Sequence, residues 1–149
     1  MVAEGQRTIL GFDYGLKRIG VALGMEITRT ARPLTIVACH DGKPVWESIS
    51  ALIEEWHPDL LVVGLPVTLE GNQQEMTDCS RSFGRKLSGR YNLPVQHVDE
   101  RLTTVEAKSR LAGQGNPAEE VDHVAAQIIL EGWFTENRTH KHPISKNND

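Results

Sequence analysis

The sequence has little of the cysteine that a disulfide framework or a structural zinc site requires. Its two cysteines, Cys39 and Cys79, lie far apart and form neither a CxxC pair nor a zinc-binding pattern. A small disulfide-framed protein is therefore excluded. Two reduced, partly buried thiols in a cytosolic protein are the expectation.

Long hydrophobic runs are also lacking. The longest, residues 60–67, is interrupted by Gly64 and Pro66 and is far too short to cross a bilayer. The N-terminus has no basic region followed by a long apolar stretch, so no signal peptide is expected. We therefore expect a cytoplasmic protein with no membrane partner.

An excess of positive charge is the third feature that the chain lacks. Sixteen Lys and Arg residues stand against 20 Asp and Glu residues, for a formal net charge of −4. A domain held to nucleic acid mainly by bulk charge would be strongly basic, so that class is excluded. Any contact with a polynucleotide must use a local basic surface or metal ions.

What the chain does have is enough apolar sequence for one core. Its 149 residues are 39% hydrophobic, which suits one compact domain. We assign residues 1–137 to that domain and residues 138–149 to a flexible polar C-terminal tail. This length excludes a two-domain enzyme that must close over a nucleotide within one chain.

The order of patterned segments indicates an α/β architecture. Strand patterns occur at residues 8–14, 18–24, 33–39, 60–65 and 94–98. Short connections favour hairpins between the first three strands, and residues 41–44 then break the chain. Helical patterns occur at residues 46–56, 76–91, 103–111 and from 117 to about 133. We predict a mixed five-stranded sheet, with three antiparallel hairpin strands, two parallel strands and helices on both faces.

Three carboxylates occupy positions that suit a shared site. Asp13 ends the most buried strand candidate, Asp99 and Glu100 follow the last strand, and Asp122 lies early in the final helix. Neighbouring strand residues point to opposite faces, so only one of Asp99 and Glu100 can share a site with Asp13. Sites of open α/β sheets lie at the carboxyl ends of strands, which favours a common site for the three.

Each carboxylate also has a structural interpretation. Asp13 fits a cap on the turn at Gly15, and Glu100 fits a solvated charge or an ion pair with Arg101. Asp122 fits a charge that favours the positive end of the helix dipole. As a set, however, hard oxygen donors without Cys or His favour Mg²⁺ or Mn²⁺ over zinc. Two such ions would hydrolyse a phosphodiester bond.

Four segments carry a family resemblance, the most specific being Asp-Glu-Arg-Leu-Thr-Thr at residues 99–104. The others are residues 10–22, residues 63–66, and Val121-Asp122 with residues 125–130. Together they resemble the YqgF family of bacterial ribonuclease H-like proteins, described as pre-16S rRNA nucleases and earlier as Holliday junction resolvases. The resemblance covers residues 8–134 and implies a ribonuclease H-like fold.

The resemblance also implies residue roles. The catalytic and metal-binding set becomes Asp13, Glu100 and Asp122, holding Mg²⁺ or Mn²⁺, with two ions expected. The implied substrate contacts are Arg18, Arg101 and Thr103, which help to hold phosphate, and the loop that leads to Asn72, which lines the cleft. One stretch departs from the family pattern, because Glu119 and Glu120 precede Asp122 where a basic residue is usual, and they would repel phosphate.

Basic residues cluster in the second predicted helix. Arg81, Arg85, Lys86 and Arg90 fall on its polar side. A solvated helix face is one interpretation, and a ridge that tracks phosphates is the other.

The leading hypothesis is a divalent-metal-dependent endonuclease acting on structured RNA, with 5′-end maturation of pre-16S rRNA as its reaction. The alternatives are a Holliday junction resolvase and a non-catalytic RNA- or transcription-associated binding protein. An actin-like ATPase or sugar-kinase relative is disfavoured by chain length. Expected partners are RNA, in particular pre-rRNA, with branched DNA, the ribosome and the transcription machinery as further candidates. The chain is expected to be a monomer or a weak dimer.

Overall fold

A computed structural model describes residues 5–65, 72–99 and 118–145 of the chain. In order, the strands and helices are β1 (Thr8–Asp13), β2 (Arg18–Met25), β3 (Thr30–His40), β4 (Lys43–Pro44), α1 (Trp46–Trp56), β5 (Leu60–Leu65), α2 (Asn72–Tyr91), β6 (Val95–Asp99) and α3 (Ala118–Ser145). Within the described residues, the strands form one six-stranded sheet in the order β4-β3-β2-β1-β5-β6.

The sheet is mixed, as the sequence predicts. β1, β2, β3 and β4 pair antiparallel in succession, whereas β5 pairs parallel with both β1 and β6. Short connections allow the antiparallel hairpins, whereas α1 and α2 lead into the parallel strands β5 and β6. The predicted α/β class and its mixed strand directions are confirmed.

The prediction of five strands was wrong by one, because residues 41–44 were interpreted only as a chain break. Asp41 and Gly42 have φ angles of 52° and 79°, so the chain reverses tightly there. Lys43 and Pro44 then pair with His40 and Cys39 as β4. Asp-Gly is a strong hairpin signal because both turn residues tolerate positive φ, so the sequence contained the information.

Two apolar clusters cover the two faces of the sheet. Leu10, Phe12 and Val63 project to one face and pack with Ile49 of α1 and Phe83 of α2. The other face is covered by α3, and its cluster includes the following residues: Ile9, Ala22, Leu60, Val62, Val98, Ala126, Ile129 and Leu130. Burial on both faces explains why β1 and β5 are almost continuously apolar.

The first helix matches its prediction, and the last helix is longer than predicted. α1 ends at Trp56, and the C-cap residue His57, with a φ of 47° and a ψ of 57°, closes the helix before Pro58. α3 continues to Ser145, past the predicted domain end at residue 137. The flexibility of residues 138–149 stays a prediction. The helix predicted at residues 103–111 lies outside the described residues.

A buried ion pair between Arg7 and Glu26 joins the segment before β1 to the residue that follows β2. Glu26 is 3% exposed and accepts hydrogen bonds from the backbone N–H groups of Gly5 and Arg7 and from the Arg7 guanidinium. Burial alone would raise the pKa of Glu26. The hydrogen bonds and charge of Arg7, with the Gly5 bond, outweigh burial and lower that pKa to about 2. Glu26 is therefore ionised at neutral pH although it is buried.

Candidate functional site

Asp13 is the last residue of β1, at the carboxyl end of an inner strand. It pairs with Gly20 of β2 and is half-buried. Side chains alternate along a strand, so Asp13 shares the face of Ile9 and Gly11, which is the face covered by α3. A carboxylate at this position stands at the edge where an open α/β sheet places its site.

The register of β6 separates the two acidic candidates that follow the last strand. Val98 belongs to the cluster under α3, whereas His97 lies against Gly84 of α2 on the opposite face. Asp99 pairs with Leu65 and has the same parity as His97. In the backbone register, Asp99 therefore alternates with Val98, the residue under α3. Glu100, the predicted site residue, lies outside the described residues.

The direction of α3 brings its amino-terminal part towards the carboxyl end of β1. Leu130 packs on Gly11, and one turn later Phe134 lies beside Gly24, which pairs with the second residue of β1. Contacts thus move towards the amino end of β1 as α3 proceeds. Asp122 precedes Leu130 by eight residues, about 12 Å of helix in the direction of Asp13. The structure describes the backbone of Asp122 within α3.

Close approach of α3 to β1 depends on glycine. A Cβ atom on Gly11 would lie 2.5 Å from Leu130 Cγ, and a Cβ on Gly24 would lie 3.2 Å from Leu130 Cδ1. The sequence analysis missed both positions. A detectable signal was present, because a glycine inside an apolar strand marks a bulge or a close approach of another element.

Arg18 is the predicted substrate contact that the structure brings nearest to Asp13 along the sheet. It begins β2, is exposed, and lies two residues from Gly20, the partner of Asp13. Residues two apart on a strand share a face, so Arg18 and Asp13 are diagonal neighbours, typically about 7–8 Å apart. An arginine at this distance can bind the same phosphate that a cation would bridge to the Asp13 carboxylate.

The other predicted substrate contacts are less closely grouped. Arg85 is exposed on α2, and its charge, with that of Arg81, adds to burial in lowering the pKa of His97 on β6. The residue before it, Gly84, lies against His97 of β6. Asn72 begins α2, and the structure gives its backbone position. Arg101 and Thr103 lie outside the described residues.

The donor chemistry of the site fits a hard divalent cation. Among the side chains that the structure describes, no group of three His, Cys, Asp or Glu residues could hold a metal ion. Asp13 is the member of the predicted set whose side chain is described. Its half-buried carboxylate at a strand end offers oxygen ligands of the kind that Mg²⁺ and Mn²⁺ prefer.

No helix in the described part of the chain combines the length and apolar character needed to cross a membrane.

Comparison with known proteins gives matches along nearly the whole chain. The family model described as "RuvX: Holliday junction resolvase" matches residues 7–136. A protein of Nitrosococcus oceani named "Putative pre-16S rRNA nuclease" is 48% identical over 139 residues, which cover 91% of each chain. A Hydrogenovibrio crunogenus protein of the same name is 55% identical over 126 residues, covering 85% of this chain and 92% of the relative.

Solved structures agree on the fold. Thermus thermophilus RuvC in complex with a Holliday junction substrate aligns with a TM-score of 0.54 at 16% identity, covering 88% of this chain and 96% of RuvC. The yeast mitochondrial Holliday junction resolvase Ydc2 aligns with a TM-score of 0.57 at 11% identity, covering 95% and 83%. The ribonuclease H-like fold expected from the sequence is confirmed.

Proposed function

Because this chain belongs to the RuvX/YqgF family, we propose that it is a nuclease that hydrolyses phosphodiester bonds in structured RNA. Its proposed reaction is 5′-end maturation of pre-16S rRNA, the substrate named in its relatives. The observation that carries this proposal is the position of Asp13. It lies at the carboxyl end of β1, on the face that α3 covers, and the amino-terminal part of α3 is directed towards it. A cytoplasmic location is part of the proposal.

The proposed metal site consists of Asp13, Glu100 and Asp122. The alternation along β6 supports Glu100 over Asp99, because Asp99 has the parity of the opposite face. The direction of α3 supports Asp122. When bound, two Mg²⁺ or Mn²⁺ ions would supply an activated water and charge stabilisation for the leaving oxygen. The Asp13 carboxylate contributes hard oxygen donors at a fixed point of the sheet.

The proposed role of Arg18 is to bind and orient the scissile phosphate. Its guanidinium offers several N–H donors, and its strand position keeps it on the same face as Asp13. Arg101, Thr103 and Asn72 remain proposed substrate contacts because of the family resemblance, and Arg85 because it belongs to the basic cluster of α2. The proposed partner is pre-rRNA, and the ribosome and the transcription machinery are further proposed partners.

The proposal is tested by Asp13→Asn, which keeps the size of the side chain and removes its charge. We expect cleavage of pre-16S rRNA by the wild-type protein with Mg²⁺ or Mn²⁺ and none by the variant. We also expect either ion to raise the Tm of the wild-type protein more than that of the variant, because binding to the folded state stabilises it. Asp59→Asn is a control for the loss of one remote carboxylate.

Equal cleavage by wild type and Asp13→Asn would refute the assignment of Asp13. RNA binding without cleavage by the wild-type protein would instead support a non-catalytic binding protein. Preparations from a host that lacks contaminating nuclease activity are needed for both measurements.

Holliday junction resolution is the second candidate function, favoured by the description of the family model. The same hydrolytic chemistry would apply, but paired cuts across a junction normally need a symmetric dimer. Cleavage of pre-16S rRNA and of a four-way DNA junction should be compared in one preparation, together with its oligomeric state. Preferred cleavage of the junction by a dimer would select this function.

A further inference from the structure

Two depressions that share part of their lining lie on the face of the sheet opposite α3. Their volumes are about 280 and 570 Å³, and both are lined by Lys43, Pro44 and Lys86. One wall is the β3–β4 hairpin and the other is α2. We call this feature the hairpin groove. Its compartments have the size of small-ligand sites, so they suit single nucleotides of a strand rather than a whole duplex.

The hairpin groove is cationic although the chain is acidic. Lys43, Lys86 and Arg90 line it, and Asp41 is the acidic residue among its lining. The whole chain has a net charge of −4. Three cations against one carboxylate therefore make this groove a local exception, and its positive potential would attract a polyanion.

The hairpin wall of the groove is held in place by hydrogen bonds. The Tyr14 hydroxyl donates to the Gly42 carbonyl oxygen at 2.6 Å, and the Gly42 N–H donates to the Leu16 carbonyl oxygen at 3.0 Å. These bonds attach the turn before Lys43 to the β1–β2 connection. Lys43 is thus presented by a fixed backbone, which reduces the ordering cost of binding.

The helix wall presents an arginine that is already oriented. Arg90 Cζ lies 4.0 Å from the centroid of the Trp46 ring, and Trp46 in turn stacks on Phe83 with centroids 5.9 Å apart. Stacking restricts the guanidinium while leaving its N–H groups at the edge available for oxygen acceptors. By contrast, Arg81 and Arg85 of the same helix line neither compartment.

Gly89 is an unusual choice at this position. It lies inside α2, lines the larger compartment, and has open space where a Cβ would be. Glycine destabilises a helix interior relative to alanine, and here no packing contact requires it. The missing side chain at Gly89 leaves space between Lys86 and Arg90, and this space would allow the backbone of a ligand to approach α2 closely.

The groove begins beside the candidate active site. Tyr14 lines the smaller compartment and directly follows Asp13, so their Cα atoms are about 3.8 Å apart. The two side chains project to opposite faces of the sheet. To reach the groove from Asp13, a nucleic acid strand therefore has to pass round the carboxyl end of β1.

We propose that the hairpin groove binds the phosphate backbone of a single-stranded segment that flanks the bond to be cleaved. Lys43, Lys86 and Arg90 contact its phosphates, and Gly89 leaves room for its backbone. This assignment rests on the proposed nuclease function. The shared chemistry is the phosphodiester, and separate RNA and DNA probes identify which nucleic acid is preferred.

The test measures binding in the full-length Asp13→Asn protein, which prevents cleavage of the probe. Fluorescence anisotropy with a labelled 12-nucleotide uridine oligomer, and with its thymidine counterpart, gives affinity at several salt concentrations. Lys86→Ala and Arg90→Ala should each reduce the slope of log affinity against log salt by about 0.7, which is about fivefold in affinity at 0.1 M salt. Arg81→Ala is the control, with the same charge change in the same helix and no expected change in slope.

Charge-neutral variants test occupancy of the groove itself. Gly89→Gln should weaken binding with an unchanged slope and without lowering Tm, because glutamine is the better helix former. Ser88→Gln, an exposed neighbour outside the groove lining, should bind like the parent protein.

Equal slope changes in Lys86→Ala and Arg81→Ala would overturn the proposal, as would parental binding by Gly89→Gln. Competition by polyglutamate as effective as that by the oligonucleotide would overturn it in favour of an acidic protein partner. The nuclease function is judged separately by wild-type cleavage. If the wild-type protein cleaves no RNA but the groove variants lose binding as expected, the nuclease function is refuted and the groove assignment stands. If the wild-type protein cleaves RNA but every groove variant binds like the parent protein, the groove assignment is refuted and the nuclease function stands.

Discussion

Replacement of Gly11 by alanine is a sharp test of how α3 reaches the sheet. The new Cβ would lie 2.5 Å from Leu130 Cγ and 2.9 Å from Leu130 Cδ2. Carbon atoms in contact prefer about 3.5–4.0 Å, so Leu130 or the backbone of α3 must move by about 1 Å. Leu130 is fully buried and has little room to do so. The substitution should therefore strain the interface between α3 and β1.

The magnitude follows from two opposing effects. Overpacking a core by one methyl group costs about 1–3 kcal/mol. Gly11 has no positive φ, so alanine fits the strand backbone and regains about 0.4–1 kcal/mol by restricting the unfolded chain. We expect a net loss of between about 0 and 2.6 kcal/mol in the free energy of unfolding, with Tm falling by about 2–4 °C per kcal/mol.

A double-mutant cycle measures this effect by urea unfolding of four proteins: the wild type, Gly11→Ala, Leu130→Ala and the double variant. Leu130→Ala alone should cost about 2–5 kcal/mol because it leaves a cavity. In Gly11→Ala/Leu130→Ala the added methyl group occupies part of that cavity, so the double variant should be more stable than the sum predicts by about 0.5–3 kcal/mol. Gly24→Ala is the matched comparison, because its nearest neighbour is a terminal methyl of Leu130 at 3.2 Å. It should cost less.

Two results would refute this reasoning. Additivity of the single substitutions within about 0.5 kcal/mol would mean that Gly11 and Leu130 do not share the contact. A stabilised Gly11→Ala protein would mean that α3 does not lie this close to β1. If the proposed nuclease is correct, Gly11→Ala should also lose more cleavage activity than its stability change explains, because it shifts α3 relative to Asp13.

Three further predictions concern the ion pair, a second close helix contact and a buried indole. The folded-state pKa of Glu26 is lowered from 4.5 to about 2, so ionised Glu26 contributes about 3 kcal/mol to the free energy of unfolding above pH 4.5, and this contribution is lost as the pH falls towards 2. Urea unfolding should therefore show different stabilities for wild type and Glu26→Gln at pH 7 and similar stabilities near pH 2–3. A difference that stays constant with pH would contradict this. In thermal unfolding, Gly84→Ala should raise Tm less than Gly89→Ala, because both gain helix propensity but the Gly84 Cβ would lie 2.8 Å from His97 Nε2 and the exposed His97 ring must turn away, whereas the Gly89 Cβ meets open space. Trp133→Phe should cost about 1–3 kcal/mol in urea unfolding, because the smaller ring leaves a gap where the indole is buried and the N–H that donates to Gln96 Oε1 at 2.8 Å is lost; unchanged stability would contradict this.

The sequence predicted the strands and helices of the described regions well where a local pattern was strong. α1 begins and ends at the predicted residues, and β5 has its predicted bounds, because apolar periodicity and the flanking Pro58 act over short distances. β4 was missed although Asp41 and Gly42 signalled a hairpin. Its pairing partners lie only a few residues away, so this error came from incomplete interpretation rather than from missing information.

The candidate site was predicted in part. The position of Asp13 at the end of a buried strand follows from the sequence and agrees with the structure. The choice between Asp99 and Glu100 was left to the family resemblance, and the register of β6 now supports the same preference by the parity of Val98. For the basic residues of α2 the sequence allowed either a solvated helix face or a ridge that tracks phosphates, whereas in the structure Lys86 and Arg90 line the hairpin groove and Arg81 and Arg85 do not.

By itself, the sequence determined the alternation of buried and exposed positions, the order of strands and helices, and the acidic residue at the end of β1. Tertiary structure alone decided which face each helix covers, how closely α3 lies on Gly11, and which cations meet across the hairpin groove. The physical reason is chain distance. Periodicity and turn chemistry arise between neighbours, whereas Gly11 and Leu130, or Lys43 and Lys86, meet only after the whole sheet has assembled.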